Sequence, residues 1–301
     1  MSAAVRTPPD PADPATVDDT IVDWYAGAAR DLPWRAPGTA PWAVLVSEVM
    51  LQQTPVARVE PRWREWLARW PAPADLAAAS PAEVIRAWGK LGYPRRALRL
   101  REAAAAITER HGGAVPADVA ALESLPGIGT YTARAVACFG HGQRQPVVDT
   151  NVRRVVARLV HGNATAAPAR SSDLTDIAAL TPDDHDRAVR FSVAVMELGA
   201  LVCVAGTPRC ALCPVRDQCA WRLAGSPAAT GPPRRVQRYA GTDRQVRGRL
   251  LDVLRGASQP VAPAELDRVW EDAVQRSRCL NSLLADGLVV QTADGRFTLP
   301  E

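Results

Sequence analysis

The sequence predicts an all-α fold that carries a small winged-helix-like module at its C-terminal end. Apolar residues recur at the i, i+3 and i+4 spacing of amphipathic helices through about the first 220 residues. No run with the alternating pattern of a strand occurs before residue 287. Near the C-terminus an Asp-Gly pair separates two short β-prone runs, which predicts a single hairpin.

Composition limits the classes of function. The 301 residues suffice for two domains, or for one large domain with an appendage, and 47% are hydrophobic, enough for a core. The apolar runs are too short to span a bilayer, and residues 1–19 lack the order of a signal peptide. We therefore expect a cytoplasmic protein without membrane association, whose residues 1–19 form a disordered tail. The net charge of +4 is modest, so a nucleic-acid partner must be argued from local clusters.

Helical patterns follow one another along the chain and end at proline or glycine. Pro71 and Pro73, for example, stop the third pattern. Residues 223–242, rich in Pro, Gly and Ala, are predicted to be a linker. Residues 243–301 then combine three helices with the hairpin, as in winged-helix modules that bind DNA or proteins. The predicted helices are 21–28, 42–50, 59–70, 82–89, 95–110, 117–124, 130–138, 150–160, 184–202, 244–256, 263–270 and 272–286.

Four of the six cysteines form one cluster in the sequence. Cys203, Cys210, Cys213 and Cys219 have the spacing C-x6-C-x2-C-x5-C, which indicates a metal site in a reducing compartment. Four thiolates suit either tetrahedral zinc or a [4Fe–4S] cluster, and ligand type alone does not decide between them. Cys138 and Cys279 lie outside the cluster and are expected to be core residues.

The stretch from Leu125 to Val152 holds the residues around which the chain is organised. In Leu125-Pro126-Gly127-Ile128-Gly129, two glycines precede a helical run that begins at Thr130. Such a turn leaves backbone N–H groups free at a helix start, where they hold phosphate oxygens. Asp149 follows an apolar segment and precedes another helix, so it is either a functional carboxylate or a helix N-cap.

These residues resemble those of the helix-hairpin-helix DNA glycosylases and, within them, the adenine DNA glycosylase (MutY) family. The resemblance covers about residues 20–222. It implies a six-helix barrel at about 37–144, an iron–sulfur subdomain at about 20–36 plus 145–222, and a [4Fe–4S] cluster on the four cysteines. Four motifs carry it, namely 30–35 (RDLPWR), 47–54 (SEVMLQQT), 125–132 (LPGIGTYT) and 148–152 (VDTNV).

The resemblance implies hydrolysis of an N-glycosidic bond by two carboxylates. Glu48 matches the acid that protonates the flipped adenine, and it lies off the apolar stripe of its helix, so it need not be buried. Asp149 matches the carboxylate that faces the positive sugar, with Asn151 as a polar support. The related endonuclease III family has a nucleophilic lysine where this chain has Tyr131. A monofunctional enzyme is therefore expected, with Tyr131 hydrogen-bonded to Asp149.

The resemblance also assigns residues to DNA. The expected partner is double-stranded DNA with a mispaired adenine, bound by a monomer at the nucleoid. A basic run from Lys90 to Arg101 suits phosphate contact. The expected roles are wedging for Gln53 and Tyr93, the adenine pocket for Arg30, Leu32, Trp34 and Arg35, and phosphate binding for Gly127, Gly129 and Thr130.

Two departures from the family leave alternatives open. Val193 stands where the family usually has a glutamine or glutamate that contacts adenine. Residues 243–301 are too short for the Nudix-like domain that reads 8-oxoguanine, and no Phe-Ser-His loop occurs. One alternative is a glycosylase of the same fold acting on thymine or uracil opposite guanine. Another is a non-catalytic iron–sulfur protein that binds DNA and senses redox state.

Overall fold

A computed structural model describes residues 14–229 and 239–301 of the chain. It is almost entirely helical, as predicted, with short 3-10 turns at Pro33–Arg35, Cys210–Leu212 and Arg216–Gln218. The α-helices are α1 (Pro14–Ala28), α2 (Pro41–Leu51), α3 (Val56–Arg69), α4 (Pro73–Ala78), α5 (Pro81–Trp88), α6 (Arg95–Arg110), α7 (Val119–Glu123), α8 (Thr130–His141), α9 (Thr150–Leu159), α10 (Ser172–Leu180), α11 (His185–Leu201), α12 (Ala220–Leu223), α13 (Asp243–Gly256), α14 (Pro263–Asp267) and α15 (Ala273–Ala285). The strands are β1 (Val290–Gln291) and β2 (Phe297–Thr298).

The chain divides into two compact units that do not follow chain order. The first unit comprises Met1–Arg35 and Ala133–Pro232, and the second comprises Ala36–Thr132 and Pro233–Glu301. Within the described ranges, no helix is both long enough and apolar enough to cross a bilayer.

The core of the first unit is built from α1, α9 and α11. Val17 and Ile21 of α1 are buried in it with Val156 of α9 and Phe191 of α11. The expectation of a disordered tail was therefore wrong for residues 14–19, which form the start of α1. The physical reason is that Val17 and Ile21, four residues apart, bring one apolar face onto the core. Residues 1–13 of the expected tail lie outside the described residues, as do residues 230–238 of the expected linker.

In the second unit, α2 is buried on every side. All its residues from Trp42 to Met50 are buried, and Nε1 of Trp63 in α3 donates to the backbone O of Ala43 at 2.9 Å. Trp42 Nε1 donates to the backbone O of Trp70 at 3.1 Å. The ring of Trp66 packs edge-on against those of Trp70 and Trp88, at centroid distances of 4.6 and 5.5 Å. A helix held on all sides is a rigid support for whatever polar group it carries.

The C-terminal module, residues 243–301, has the predicted hairpin. Val290 pairs with Thr298 in antiparallel register, and Gly295 turns with a φ of +80°. Its core contains Leu250, Leu283 and Phe297, and Ile85 of α5 is part of the same cluster. The module is thus packed on the helices of residues 36–132. Cys138 and Cys279 are core residues, as expected, with exposed fractions of 0% and 1%.

Candidate active site

Glu48 is a buried carboxylate on the rigid helix α2. Only 6% of it is exposed, although its place off the apolar stripe did not require burial. Tyr131, in the first turn of α8, donates from Oη to Glu48 Oε2 at 2.9 Å. Burying a carboxyl group is costly unless it is hydrogen-bonded, so this contact stabilises the group where it lies. No sequence pattern indicated the contact between Tyr131 and Glu48. The hydrogen bond expected from Tyr131 to Asp149 stays a prediction.

The two residues assigned to wedging have an unusual backbone. Among the described residues, three non-glycine residues have a positive φ, and two of them are Gln53 at +55° and Tyr93 at +47°. Such a conformation is strained for a residue with a side chain and persists only where its surroundings enforce it. Both residues are exposed, Tyr93 to 39%. The strain therefore falls at two solvent-facing positions of the second unit.

One arginine connects the two turns that carry these residues. Arg96 Nη1 donates to the backbone O of Val49 at 2.7 Å and of Gln52 at 2.6 Å, where α2 ends. Its Nη2 donates to the backbone O of Gly92, directly before Tyr93, at 3.0 Å. Burial lowers the pKa of Arg96 to about 10, which still leaves it charged at neutral pH. Arg96 thus holds both turns from inside.

Replacing Arg96 is therefore expected to lower the stability of the second unit. Arg96→Ala leaves several carbonyl oxygens without their donor, and we expect a loss of about 2–4 kcal/mol in unfolding free energy. Arg110→Ala removes an exposed arginine from the same helix and serves as the control. Denaturant unfolding measures both variants; equal stability of the two would contradict the role given to Arg96.

The basic run does not present five free cations to phosphate. Arg96 is used as described, and Arg101 Nε donates to the backbone O of Ala79 at 2.6 Å. The other three form ion pairs, namely Lys90 with Asp252, Arg95 with Asp286 and Arg99 with Glu102. The sequence left open whether the run contacts phosphate or is a solvated face, and phosphate contact stays a prediction; each member has a partner within its own unit.

The turn between α7 and α8 brings its glycines into the expected conformation. Gly127 has a φ of +76°, and a Cβ there would lie 2.7 Å from Cβ of Arg99, so only glycine fits. Gly129 faces open space, with no atom within 4 Å of the position of a Cβ. Thr130 then begins α8. The N-terminal amides of this helix are thus approachable beside Gly129.

In the first unit, Asp149 is the N-cap of α9. Its Oδ1 accepts from the backbone N of Val152 at 2.7 Å, and its Oδ2 accepts from Nδ2 of Asn151 at 2.7 Å. Burial raises the pKa of Asp149 above its ordinary value, although these two hydrogen bonds and the charge of Arg154 oppose the shift. The alternative that Asp149 is a helix N-cap is therefore confirmed. This role does not preclude a catalytic one, because a capping carboxylate keeps its charge.

Arg154 links this carboxylate to the cysteine loop. Its Nη2 donates to Oδ1 of Asn151 at 2.8 Å and to the backbone O of Gly199 at 2.6 Å. Its Nε donates to the backbone O of Cys203 at 2.6 Å. Accepting at Oδ1 orients the amide of Asn151 so that its Nδ2 points to Asp149. A continuous hydrogen-bonded path therefore runs from Cys203 to Asp149.

The four cysteines line one pocket in the first unit. Arg158 and Trp221 also line it, and Nη1 of Arg158 lies 3.4 Å from Sγ of Cys203. Burial raises the pKa of Cys213 to about 11 and also raises that of Cys219, so metal binding here would release protons. Within residues 14–229 and 239–301, no set of three or more His, Cys, Asp or Glu side chains is arranged to hold a metal ion.

The residues expected around an adenine pocket contact a carboxylate that sequence analysis missed. Glu197 of α11 is fully buried, and its Oε1 accepts from Nε of Arg30 at 2.5 Å while its Oε2 accepts from Nη1 of Arg35 at 2.8 Å. Leu32 and Trp34 between them are buried, with 6% and 5% exposed. The sequence contains a signal for this contact. Glu197 lies inside the apolar run from Phe191 to Leu201, and a buried acid needs a cationic partner.

This ion-pair cluster predicts a stability effect. Glu197→Gln keeps the shape of the side chain but leaves Arg30 and Arg35 without their shared anion. We expect a loss of about 1–3 kcal/mol, because both arginines are partly exposed and water replaces some of the interaction. Denaturant unfolding measures it, with Glu60→Gln, from the surface pair with Arg64, as control. Equal effects in both variants would contradict the assignment.

Comparison with known proteins agrees with this architecture. The family model of the HhH-GPD superfamily base excision DNA repair proteins matches residues 46–176. The adenine DNA glycosylase of Mycobacterium tuberculosis (strain H37Rv) is 61% identical over 97% of this chain and 96% of its own length. The thymine/uracil-DNA glycosylase of Pyrobaculum aerophilum is 38% identical over 66% of this chain and 88% of its own.

A solved structure also has this fold. The structure of a thermostable thymine-DNA glycosylase superposes with a TM-score of 0.63 at 26% identity, and covers 69% of this chain and 95% of its own. The identity to the mycobacterial adenine enzyme, by contrast, extends over nearly the whole chain, including the C-terminal module. The chain belongs to the adenine DNA glycosylase family, within the HhH-GPD superfamily of base excision DNA repair proteins.

Proposed function

We propose that this adenine DNA glycosylase releases adenine mispaired with 8-oxoguanine or guanine, and that it does so without cleaving the strand. The observation that carries the proposal is the hydrogen bond from Tyr131 to Glu48, a buried carboxyl group held by a hydroxyl group where a strand-cleaving relative would have an amine. This pair supports acid catalysis and gives residue 131 no nucleophilic role.

The proposed reaction uses two carboxyl groups, those of Glu48 and Asp149. Glu48 donates a proton to a ring nitrogen of the flipped adenine, and the C1′–N bond electrons leave with the neutral base. The sugar becomes an oxocarbenium ion, which the carboxylate of Asp149 stabilises. Water then attacks C1′ and gives a proton to the carboxylate of Glu48, which restores the acid and leaves an abasic site. Asn151 and Arg154 keep Asp149 oriented during this sequence.

We further propose that the second unit binds the duplex. Gln53 and Tyr93 would enter the base stack while the adenine is extruded. The open side of Gly129 and the first amides of α8, beginning at Thr130, would receive a phosphate. Arg30 and Arg35 would lie around the adenine pocket, with their guanidinium groups held by Glu197. One copy of the chain is expected to suffice for one lesion.

Cys203, Cys210, Cys213 and Cys219 are proposed to hold a [4Fe–4S] cluster. The four thiols line one pocket, which suits either zinc or an iron–sulfur cluster, and the resemblance to the adenine DNA glycosylase family supports the cluster. When bound, the cluster would cross-link the loop that Arg154 ties to Asp149. Analysis should find about four irons and about four acid-labile sulfides per chain; stoichiometric zinc would contradict this.

The substrate is tested by single-turnover base release from duplexes with 8-oxoguanine·A, G·A, G·T and G·U, each with and without alkaline treatment. Adenine release from the first two, with strand breaks only after alkali, is the expected result. Release restricted to G·T or G·U would assign the chain to the thymine and uracil enzymes. Strand breaks without alkali would contradict the monofunctional mechanism.

A further inference from the structure

The C-terminal module contacts the wedge tyrosine through one arginine. Arg244, in the first turn of α13, donates from Nη1 to Oη of Tyr93 at 2.9 Å. Its guanidinium carbon lies 5.6 Å from the centroid of the Tyr93 ring. The hydrogen bond fixes the tip of the side chain and the cation–π contact fixes its ring. Both residues belong to the second unit.

Arg244 also contacts a second tyrosine, which fixes its position further. Its guanidinium carbon lies 5.2 Å from the ring centroid of Tyr239, which precedes α13. Thr242 donates from Oγ1 to the backbone O of Tyr239 at 2.7 Å, which fixes that turn. Arg244 is therefore shared between two tyrosines, one from the module and one from the wedge turn.

The module is fixed firmly enough to position a side chain. Asp252 pairs with Lys90 at 3.4 Å, and Asp286 pairs with Arg95 at 3.1 Å, so two acids of the module flank the turn of Tyr93. Ile85 lies in the core of the module. Because these contacts lie on both sides of Tyr93 in the sequence, Arg244 has a defined place relative to it.

We propose that Arg244 is a positioning residue for Tyr93, through which the C-terminal module sets the discrimination of the base opposite adenine. The proposal rests on the proposed wedge role of Tyr93. A wedge discriminates by how its ring stacks beside the opposite base, so a restraint on the ring changes that discrimination. The contact between Arg244 and Tyr93 gives residues 243–301 a way to act on the base opposite adenine.

The test compares Arg244→Ala and Tyr93→Phe with Arg249→Ala in the full chain carrying its cluster. Arg249 is on the same helix but stacks on Trp270, 5.0 Å from its ring centroid, and serves as the matched control. Tyr93→Phe removes only the oxygen that Arg244 contacts. The readouts are the ratio of single-turnover rate constants for 8-oxoguanine·A and G·A, and the fluorescence of 2-aminopurine beside the opposite base.

Arg244→Ala and Tyr93→Phe are each expected to lower the rate ratio about threefold to tenfold and to change the fluorescence, whereas Arg249→Ala leaves both unchanged. The double variant should be no worse than either single variant, because both remove one interaction. Additive losses, or a ratio in Arg244→Ala equal to that in Arg249→Ala, would overturn the proposal. If Arg244→Ala fails to fold, Tyr93→Phe decides alone.

Tyr93→Ala shows whether a negative result disproves the positioning by Arg244 or the wedge role of Tyr93 itself. If Tyr93→Ala retains the wild-type ratio and fluorescence, Tyr93 is not a wedge, and both its proposed wedge role and its positioning by Arg244 are wrong. If Tyr93→Ala lowers the ratio while Arg244→Ala and Tyr93→Phe do not, the wedge stands and only the positioning by Arg244 is wrong.

Discussion

Glu48→Gln is expected to lower the single-turnover rate of adenine release by about 10²–10⁴-fold, the usual contribution of general acid catalysis. Glutamine has the same size and still accepts a hydrogen bond from Tyr131, but it has no proton of comparable acidity to give to adenine. Binding of the duplex should change little, because the amide fills the same space. Base release at saturating enzyme measures the rate, and a gel-shift titration measures binding.

The matched control is Glu109→Gln, an exposed glutamate on α6. It should release adenine at the wild-type rate. Wild-type activity in Glu48→Gln would remove acid catalysis by this residue from the mechanism. A loss of activity accompanied by an equal loss of duplex binding would instead make Glu48 a binding residue.

Asp149→Asn is expected to lower the same rate by about 10²–10³-fold, as when one electrostatic contact to a developing charge is removed. Asparagine caps a helix about as well as aspartate, so the unfolding free energy should change by less than about 1 kcal/mol. This substitution therefore separates the cap of α9, which Asp149 forms in the structure, from the proposed role of its charge beside the sugar.

Asp118→Asn provides the comparison for Asp149→Asn. Asp118 caps α7 with the same geometry, its Oδ1 accepting from the backbone N of Ala121 at 2.9 Å. This variant should lose neither stability nor activity. Retained activity in Asp149→Asn would contradict a catalytic charge, and a large loss of stability would mean that the cap alone explains any loss of activity.

The helices that sequence periodicity predicted best are those with one clear apolar face. α4 was missed because Pro71 and Pro73 were interpreted as a stop, whereas Pro73 is the first residue of a new helix. Proline fits there, since its missing N–H would have no partner in the first turn. The Oδ2 of Asp75 also accepts from the backbone N of Ala72 at 2.9 Å, which starts the helix.

The candidate site was predictable only where a motif carried it. Glu48, Asp149 and the cysteines stand in local sequence motifs. In the structure Glu48 is buried, Asp149 is the N-cap of α9, and the four cysteines line one pocket. The contacts of Glu197 with Arg30 and of Arg244 with Tyr93 join residues 167 and 151 positions apart. No periodicity links such distant positions, so these partners required the fold.

The measurement that tests the central claim most directly is a product analysis of one turnover on the 8-oxoguanine·A duplex in the presence of borohydride. Acid catalysis by Glu48 with no amine at position 131 predicts one equivalent of free adenine, an intact abasic strand and no enzyme–DNA adduct. A borohydride-trapped adduct, or a strand cleaved in step with adenine release, would contradict it.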